Sequence, residues 1–286
     1  VRCYLINIGW AALRYGGQPA ADLGSQPCLY AGEHDLVLAD PAGNRDQPIE
    51  GALLGMKRSV EECRRLAKLA QGHPGSEPLL AVVDGSLIMW GLTGQTYPDF
   101  VRQELLDRGL LRCLDDIRQA GSRRPLAVAS YISLPRSADV VNTIRLALCP
   151  QEVADCDANC SRQGQGSARP CDAVAGLLDR DIFERVLEPG QRSGLFATGS
   201  KIVTDHYGEN AVSFFYLRLE DEVARVEVPR WVAQDAGLVG LVHSLVLDQC
   251  RRGHGYPVAL AEAHEQAVVT GADRDWFWQT VDDALA

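Results

Sequence analysis

The sequence contains no apolar run that approaches the roughly 18 to 20 residues needed to cross a bilayer. Its opening residues, 1–9, also lack a basic segment followed by an apolar stretch and a small-residue cleavage site, the pattern of a secretory signal. These absences predict a cytoplasmic protein that does not bind membranes. The 286 residues, 46% of them apolar and 23% charged, suffice for a sizeable core, and we expect a single domain over residues 1–286.

An excess of positive charge is also missing, because the formal net charge is −10. This balance argues against a surface coated with basic residues for nonspecific binding of nucleic acid. It does not exclude a carboxylate-rich metal site beside a local basic groove. Net charge alone therefore leaves the partner undecided.

Paired C-x2-C motifs and an H-E-x-x-H ligand pair are absent as well. The nine cysteines are an odd number, and without a secretory signal we expect them to be thiols. Four of them fall close together, with the spacing C-x6-C-x3-C-x10-C: Cys149, Cys156, Cys160 and Cys171. We expect an insertion or loop over residues 149–171, with a structural zinc ion at this cluster as an open alternative.

The first residues, including Tyr4, Leu5, Ile6 and Ile8, already have the composition of a core strand. Most domains begin at a loose surface terminus instead. The sequence also starts with Val1 rather than Met. We therefore expect an N-terminally truncated fragment.

Apolar periodicity predicts alternating strands and helices. Gly51 to Gln71 has helical spacing, and Leu79 to Val83 is a short apolar run typical of a fully buried strand. The other predicted elements are strands at 4–15, 36–39, 126–132, 211–219 and 222–228, a loop between the first two strands, and helices at 99–120, 138–148, 231–251, 257–270 and 273–285. This order predicts an α/β fold with a helical C-terminal part.

Asp84 stands where the apolar strand gives way to Gly85 and Ser86. Its carboxylate is expected at the carboxyl end of a central strand, a common location for ligands in open α/β sheets. A turn aspartate bonded to its own backbone is an equal alternative. On the preceding helix, Glu61 shares its face with basic residues, whereas Glu62 lies at the edge of the apolar stripe and is the better candidate to reach Asp84.

A pair of carboxylates from a helix and a strand end can hold a hard divalent cation through oxygen ligands. Such ions activate water and stabilise the leaving oxygen of a phosphodiester. Near the C-terminus, Tyr256 and His264 are eight residues apart, a little over two turns, so we expect both on one side of one helix. His264 is a candidate metal ligand or proton shuttle, with a core histidine as the plain alternative.

Four segments carry a family resemblance. The C-terminal part contains A-R-V-E-V-P-R-W-V and D-Q-C-R-R-G-H-G-Y-P-V-A-L-A-E-A-H-E, while the earlier part contains C-Y-L-I-N-I-G and, after a Glu-bearing helix, V-V-D-G-S-L. Together they resemble the NurA nucleases over the whole chain. The Tyr-x7-His element is the most specific part of the resemblance.

The resemblance implies an RNase H-like fold, with a mixed central sheet flanked by helices. It also implies manganese- or magnesium-dependent cleavage of DNA, as a 5′–3′ exonuclease, an endonuclease or both. It also implies a homodimer that works with a hexameric HerA-type translocase in double-strand-break end resection. Carried over residue by residue, Asp84 resembles the second metal-binding aspartate and Glu62 the helix glutamate. Tyr256 and His264 resemble the C-terminal pair of the site. The implied catalytic residues are therefore Glu62, Asp84, Tyr256 and His264, and the implied metal ligands are Glu62, Asp84 and His264.

The sequence departs from the family pattern at its start. The family's first D-G-S strand should precede C-Y-L-I-N-I-G, and Asp40, the only early aspartate at a strand end, has an A-D-P-A-G context that suits a later strand. We therefore expect the first catalytic aspartate to lie outside residues 1–286. On that expectation, these residues by themselves bind metal poorly and cut DNA slowly or not at all.

Two other function classes stay open. The same fold could serve as a non-catalytic adaptor that caps a translocase ring, or the cysteine cluster could form a zinc-stabilised DNA-binding module. Intact spacing of Glu62, Asp84, Tyr256 and His264 favours the enzyme. Metal analysis of purified protein distinguishes the zinc module.

Overall fold

A computed structural model describes residues 2–93, 97–160 and 169–285. Its strands are β1 (Tyr4–Arg14), β2 (Ala20–Tyr30), β3 (Val37–Leu38), β4 (Gln47–Pro48), β5 (Leu79–Asp84), β6 (Leu126–Ile132), β7 (Phe196–Ala197), β8 (Val212–Arg218) and β9 (Val223–Pro229). Its α-helices are α1 (Ala52–Gly72), α2 (Asp99–Arg102), α3 (Arg112–Ala120), α4 (Asp139–Ala147), α5 (Cys156–Asn159), α6 (Asp179–Val186), α7 (Lys201–His206), α8 (Arg230–Ala233), α9 (Ala236–Arg252), α10 (Val258–Ala267) and α11 (Gly271–Leu285). A π-helical segment, Gln103–Leu111, joins α2 to α3, so the predicted helix at 99–120 is continuous.

The central sheet has five strands in the order β5-β6-β9-β8-β7. β5 and β6 are parallel, whereas β9 is antiparallel to both β6 and β8, and β7 is antiparallel to β8. The sheet is therefore mixed, and helices flank it. This architecture confirms the predicted α/β class. Within the sheet, β6 is buried from Leu126 to Tyr131, as its apolar run predicts for a strand covered on both faces.

A second, two-stranded sheet is formed by β1 and β2, which pair antiparallel along 11 residues each, from Tyr4 opposite Tyr30 to Arg14 opposite Ala20. The predicted loop after β1 is therefore wrong. The predicted strand at 36–39 is reduced to the two residues of β3, which pair with β4. Gly24 of β2 packs closely against Trp10, since a Cβ atom there would lie 2.5 Å from the indole ring.

Two apolar layers cover the faces of the central sheet. On one face, Val60 of α1 and Leu114 of α3 belong to the same buried cluster as Val128 of β6. On the other face, Val242 of α9 packs in a cluster with Val226 of β9. Successive side chains of a strand point to opposite faces, so one sheet serves both layers.

Helix α10 connects the two sheets, because it contacts β1 and β2 of one and β5 of the other. α10 packs against β1 so closely that a Cβ atom on Gly9 would lie 2.0 Å from the backbone oxygen of Ala263. The predicted helices at 257–270 and 273–285 correspond to α10 and α11. Within the described part of the chain, no helix combines the length and apolar character required to span a membrane.

Candidate functional site

Asp84 is the last residue of β5 and emerges at its carboxyl end. The chain turns immediately after it, because Gly85 adopts a φ of +94°, which a residue with a side chain rarely adopts. The Gly85 amide still donates to the backbone oxygen of Tyr131 at 3.0 Å, so the turn stays attached to β6. The structure therefore places the Asp84 carboxylate at the carboxyl end of β5, as the sequence predicts. β5 is, however, the outermost strand of the sheet and mostly half-buried, so the predicted fully buried central strand is wrong.

The two neighbouring glutamates of α1 face different surroundings. Glu61 lies between two cations, with its Oε1 atom 2.9 Å from Lys57 Nζ and 2.7 Å from Arg64 Nη1. Glu62 instead lines a cleft together with Asp84. Its only ion pair in the described residues is a longer one, 3.4 Å from Arg58 Nε. The face of α1 that carries Glu62, which the sequence favours over that of Glu61, is thus the one that approaches Asp84.

The cleft between α1 and the end of β5 has a volume of about 360 Å³. Burial raises the pKa of the Glu62 carboxyl, and the charge of Asp84 raises it further against the opposing effect of Arg58. Two like charges beside each other disfavour ionisation, and a bound cation would relieve this repulsion. Their oxygen donors suit a hard divalent ion, so the residues present fit Mg²⁺ or Mn²⁺.

Tyr256 contacts the same carboxylate, although it does not lie on a helix. α10 begins at Val258, and Tyr256 belongs to the preceding turn, which His254 (φ 53°) and Gly255 (φ 108°) enter in the left-handed region. The prediction that Tyr256 and His264 share one helix is therefore wrong. Burial and the charge of Asp84 raise the pKa of the Tyr256 phenol well above its usual value.

His264 is an exposed residue of α10. It lines a groove of about 520 Å³ that also reaches Glu62, Asp84 and the β1 strand. In the described residues, however, no three His, Cys, Asp or Glu side chains come together as a metal site. The structure therefore brings Glu62 and Asp84 together, with Tyr256 beside Asp84 and His264 in the groove that both carboxylates also line.

Comparison with known proteins identifies the family. A family model of the NurA domain matches residues 3–269. The chain belongs to the NurA family. It is also similar to the crystal structure of the NurA nuclease from Sulfolobus solfataricus, with 14% sequence identity, a TM-score of 0.48, and coverage of 99% of this chain and 84% of that one. No curated protein matches it.

The cysteine cluster of this NurA chain does not gather into one site. Cys156 and Cys160 lie at the start and just beyond the end of the short helix α5, and no zinc-like group of three ligands is found between the described residues. Part of the predicted insertion, residues 161–168, lies outside the described residues. The structure thus gives the zinc alternative no support.

Sequence reasoning missed Glu227, a buried carboxylate that contacts the turn after Asp84 in this NurA chain. Glu227 is 1% exposed, and its Oε2 atom accepts hydrogen bonds from Ser86 Oγ at 2.8 Å and from the Leu87 amide at 2.9 Å. A signal was present, because Arg225 and Glu227 are two polar residues on one face of an otherwise apolar strand. Such a pair inside a buried strand indicates a satisfied polar network.

Proposed function

We propose that this NurA family member is a divalent-metal-dependent deoxyribonuclease that uses Mn²⁺ or Mg²⁺. The observation that supports it is the cleft in which Glu62 from α1 and Asp84 from the end of β5 lie together. Family membership supports the same activity. We propose cleavage as a 5′–3′ exonuclease, an endonuclease or both.

Each of the four candidate residues has a defined task in this proposal. Glu62 and Asp84 hold the cation, which when bound supplies activation of water and stabilisation of the leaving oxygen. Tyr256 lies beside Asp84, and its protonated phenol donates a hydrogen bond to this carboxylate in the proposed mechanism. This bond orients the carboxylate. His264, exposed in the groove that Glu62 and Asp84 also line, serves as a further ligand of the cation or as a proton shuttle.

The partners are part of the proposal as well. We propose that the protein acts on DNA as a homodimer, together with a hexameric HerA-like translocase, in end resection at double-strand breaks within the cytoplasm. Family membership supports this assignment. Its test is whether a purified HerA-like hexamer co-elutes with the protein and increases its cleavage of linear DNA.

Cleavage of labelled linear DNA tests the nuclease. We expect the full-length protein to degrade the DNA with Mn²⁺, and expect Asp84→Asn and Glu62→Gln each to lower kcat/KM at least about 100-fold, since removing even an outer partner of a metal ligand costs about 10- to 100-fold. Glu61→Gln is the matched control, because Glu61 is the adjacent carboxylate of α1 and points away from the cleft. Its activity should stay close to that of the wild type.

Other results would identify another function. If the folded wild-type protein cleaves no DNA with Mn²⁺ or Mg²⁺ but still binds the translocase, the protein is a non-catalytic adaptor. If metal analysis finds about one zinc ion per chain and the protein binds DNA without cleaving it, the zinc-stabilised module is correct. Equal losses in Glu61→Gln and Glu62→Gln would remove the assignment of Glu62.

A further inference from the structure

The position of Asp84 depends on the turn that follows it, and the buried carboxylate of Glu227 fixes this turn by hydrogen bonds. Glu227 of β9 accepts from Ser86 Oγ and from the Leu87 amide. Ser86 Oγ in turn accepts from the Ile88 amide at 3.0 Å and from Trp90 Nε1 at 3.2 Å. One carboxylate oxygen therefore organises the segment that follows Asp84 directly.

Glu227 is itself fixed on its other side. Its Oε1 atom accepts from Arg225 Nε at 3.0 Å, and Arg225 Nη1 donates to Asp139 at 2.6 Å. The guanidinium also lies 3.7 Å from the ring centroid of Phe214. Burial opposes the charge of Arg225, but Glu227 and Asp139 outweigh it and raise its pKa, so the guanidinium stays charged. A charged and stacked arginine leaves Glu227 a single orientation.

A second anchor holds the same turn. Tyr207, 2% exposed, donates its hydroxyl hydrogen to the Leu87 oxygen at 3.1 Å and accepts from the Met89 amide at 2.8 Å. Leu87 thereby has its amide bonded to Glu227 and its carbonyl bonded to Tyr207. The turn is attached to β9 and to the region after α7 by side chains that are not part of the cleft.

We infer that Glu227 is a positioning residue: it holds the turn from Gly85 to Met89 so that Asp84 faces Glu62, and it thereby sets the cation affinity of the cleft. This inference rests on the proposed nuclease function, because it concerns the same site. Glu227 does not line the cleft, so it does not contact a cation bound there and positions Asp84 through the turn.

The variant Glu227→Gln tests this role with little change in shape. An amide has one acceptor oxygen and one donor nitrogen, whereas Glu227 accepts on both oxygens. In the variant, the glutamine NH2 group replaces one of these oxygens, so either the Leu87 N–H or the Arg225 Nε–H faces another donor. No orientation of the glutamine satisfies both partners, so the network loses at least one buried hydrogen bond.

Asp179→Asn is the matched control. Asp179 is a fully buried carboxylate that accepts from the Val141 amide at 2.8 Å and from Tyr216 Oη at 2.6 Å, and neither partner belongs to the turn after Asp84. Tyr207→Phe is a second test variant, because it removes the other anchor and keeps the ring. Thermal unfolding establishes that each variant is folded at the assay temperature.

The experiment combines three readouts on the full-length protein: hydrogen exchange of peptides covering Ser86 to Trp90, Mn²⁺ binding followed by electron paramagnetic resonance, and the Mn²⁺ dependence of DNA cleavage. We expect Glu227→Gln to exchange faster in this segment, to bind Mn²⁺ about 10- to 100-fold more weakly, and to need correspondingly more Mn²⁺ for cleavage. Tyr207→Phe should change all three readouts in the same direction but by smaller amounts. Asp179→Asn should leave all three within about twofold of the wild type, whatever stability it loses.

Two results would overturn the inference: unchanged exchange of the segment in both Glu227→Gln and Tyr207→Phe, or an equal loss of Mn²⁺ affinity in Asp179→Asn. Failure of the proposed function has a different signature. In that case the wild-type protein itself neither binds Mn²⁺ nor cleaves DNA, while faster exchange of the segment in Glu227→Gln still supports the structural hold of Glu227 on the turn.

Discussion

At the residue scale, Glu61 and Glu62 are adjacent carboxylates of α1 whose pKa values shift in opposite directions. Burial and the charge of Asp84 raise the pKa of Glu62. Burial also opposes the charge of Glu61, but the hydrogen bonds and charges of Lys57 and Arg64 outweigh it and lower the pKa. The sign of each shift fixes how each residue contributes to stability as the pH changes.

For Glu62 the raised pKa means that the stabilising form is the protonated one. Its contribution is present below the usual carboxyl pKa of 4.5 and is lost as the pH rises through the higher value of the folded state. In the presence of a chelator, we therefore expect Glu62→Gln to become more stable relative to the wild type as the pH rises above about 4.5. Urea denaturation at a series of pH values measures the difference.

Glu61→Gln is the opposite case and serves as the control. With a lowered pKa, Glu61 contributes stability above the usual pKa, and this is lost as the pH falls through the value of the folded state. Glu61→Gln should therefore be less stable than the wild type near neutral pH and equal to it in acid. If the free energy of unfolding depended on pH in the same way for both variants, the position of Glu62 beside Asp84 would be contradicted.

At the scale of elements, the contact between β1 and α10 has no room for a side chain at Gly9. A Cβ atom there would lie 2.0 Å from the Ala263 oxygen and 2.6 Å from the Ala267 amide nitrogen, both backbone atoms that cannot rotate away. We expect Gly9→Ala to lower the free energy of unfolding by about 1–3 kcal/mol, the usual cost of overpacking. Urea denaturation measures it.

Gly240→Ala provides the comparison for this prediction. Gly240 lies inside α9, and a Cβ atom there would meet nothing within 4 Å. Alanine is favoured over glycine by about 1 kcal/mol in a helix interior, so we expect this variant to be more stable than the wild type. A neutral Gly9→Ala would show that α10 can move away from β1.

The elements also show what the sequence can predict. The central strands and α1 follow strong apolar patterns, and their predicted bounds are close to the observed ones. β2 does not, because its residues include Gly24 and Pro27, are mostly exposed and have weak strand propensity. Its conformation comes from pairing with β1 along 11 residues, a tertiary contact that local sequence does not encode.

The candidate site divides in the same way. The positions of Asp84 and Glu62 follow from the end of an apolar strand and the face of a helix, both of which periodicity reveals. The contact of Tyr256 with Asp84 depends on a turn with positive φ angles before α10, which the spacing to His264 does not predict. The contact of Glu227 with the turn after Asp84 could not be predicted from the sequence, because it depends on the packing of two segments about 140 residues apart.

At the scale of the whole molecule, the central sheet couples two apolar layers, since alternate residues of β6 belong to different clusters. Leu114 lies in one layer and Leu217 in the other, both fully buried. We expect Leu114→Ala and Leu217→Ala each to cost about 2–5 kcal/mol of unfolding free energy, and their costs to add in the double variant, because distant sites are usually independent. Because both layers share one sheet, each variant should shift a single urea transition, seen identically by circular dichroism and tryptophan fluorescence. A curve with two phases, of which each substitution moves only one, would instead show that the layers unfold separately and that the Asp84 cleft depends on only one of them.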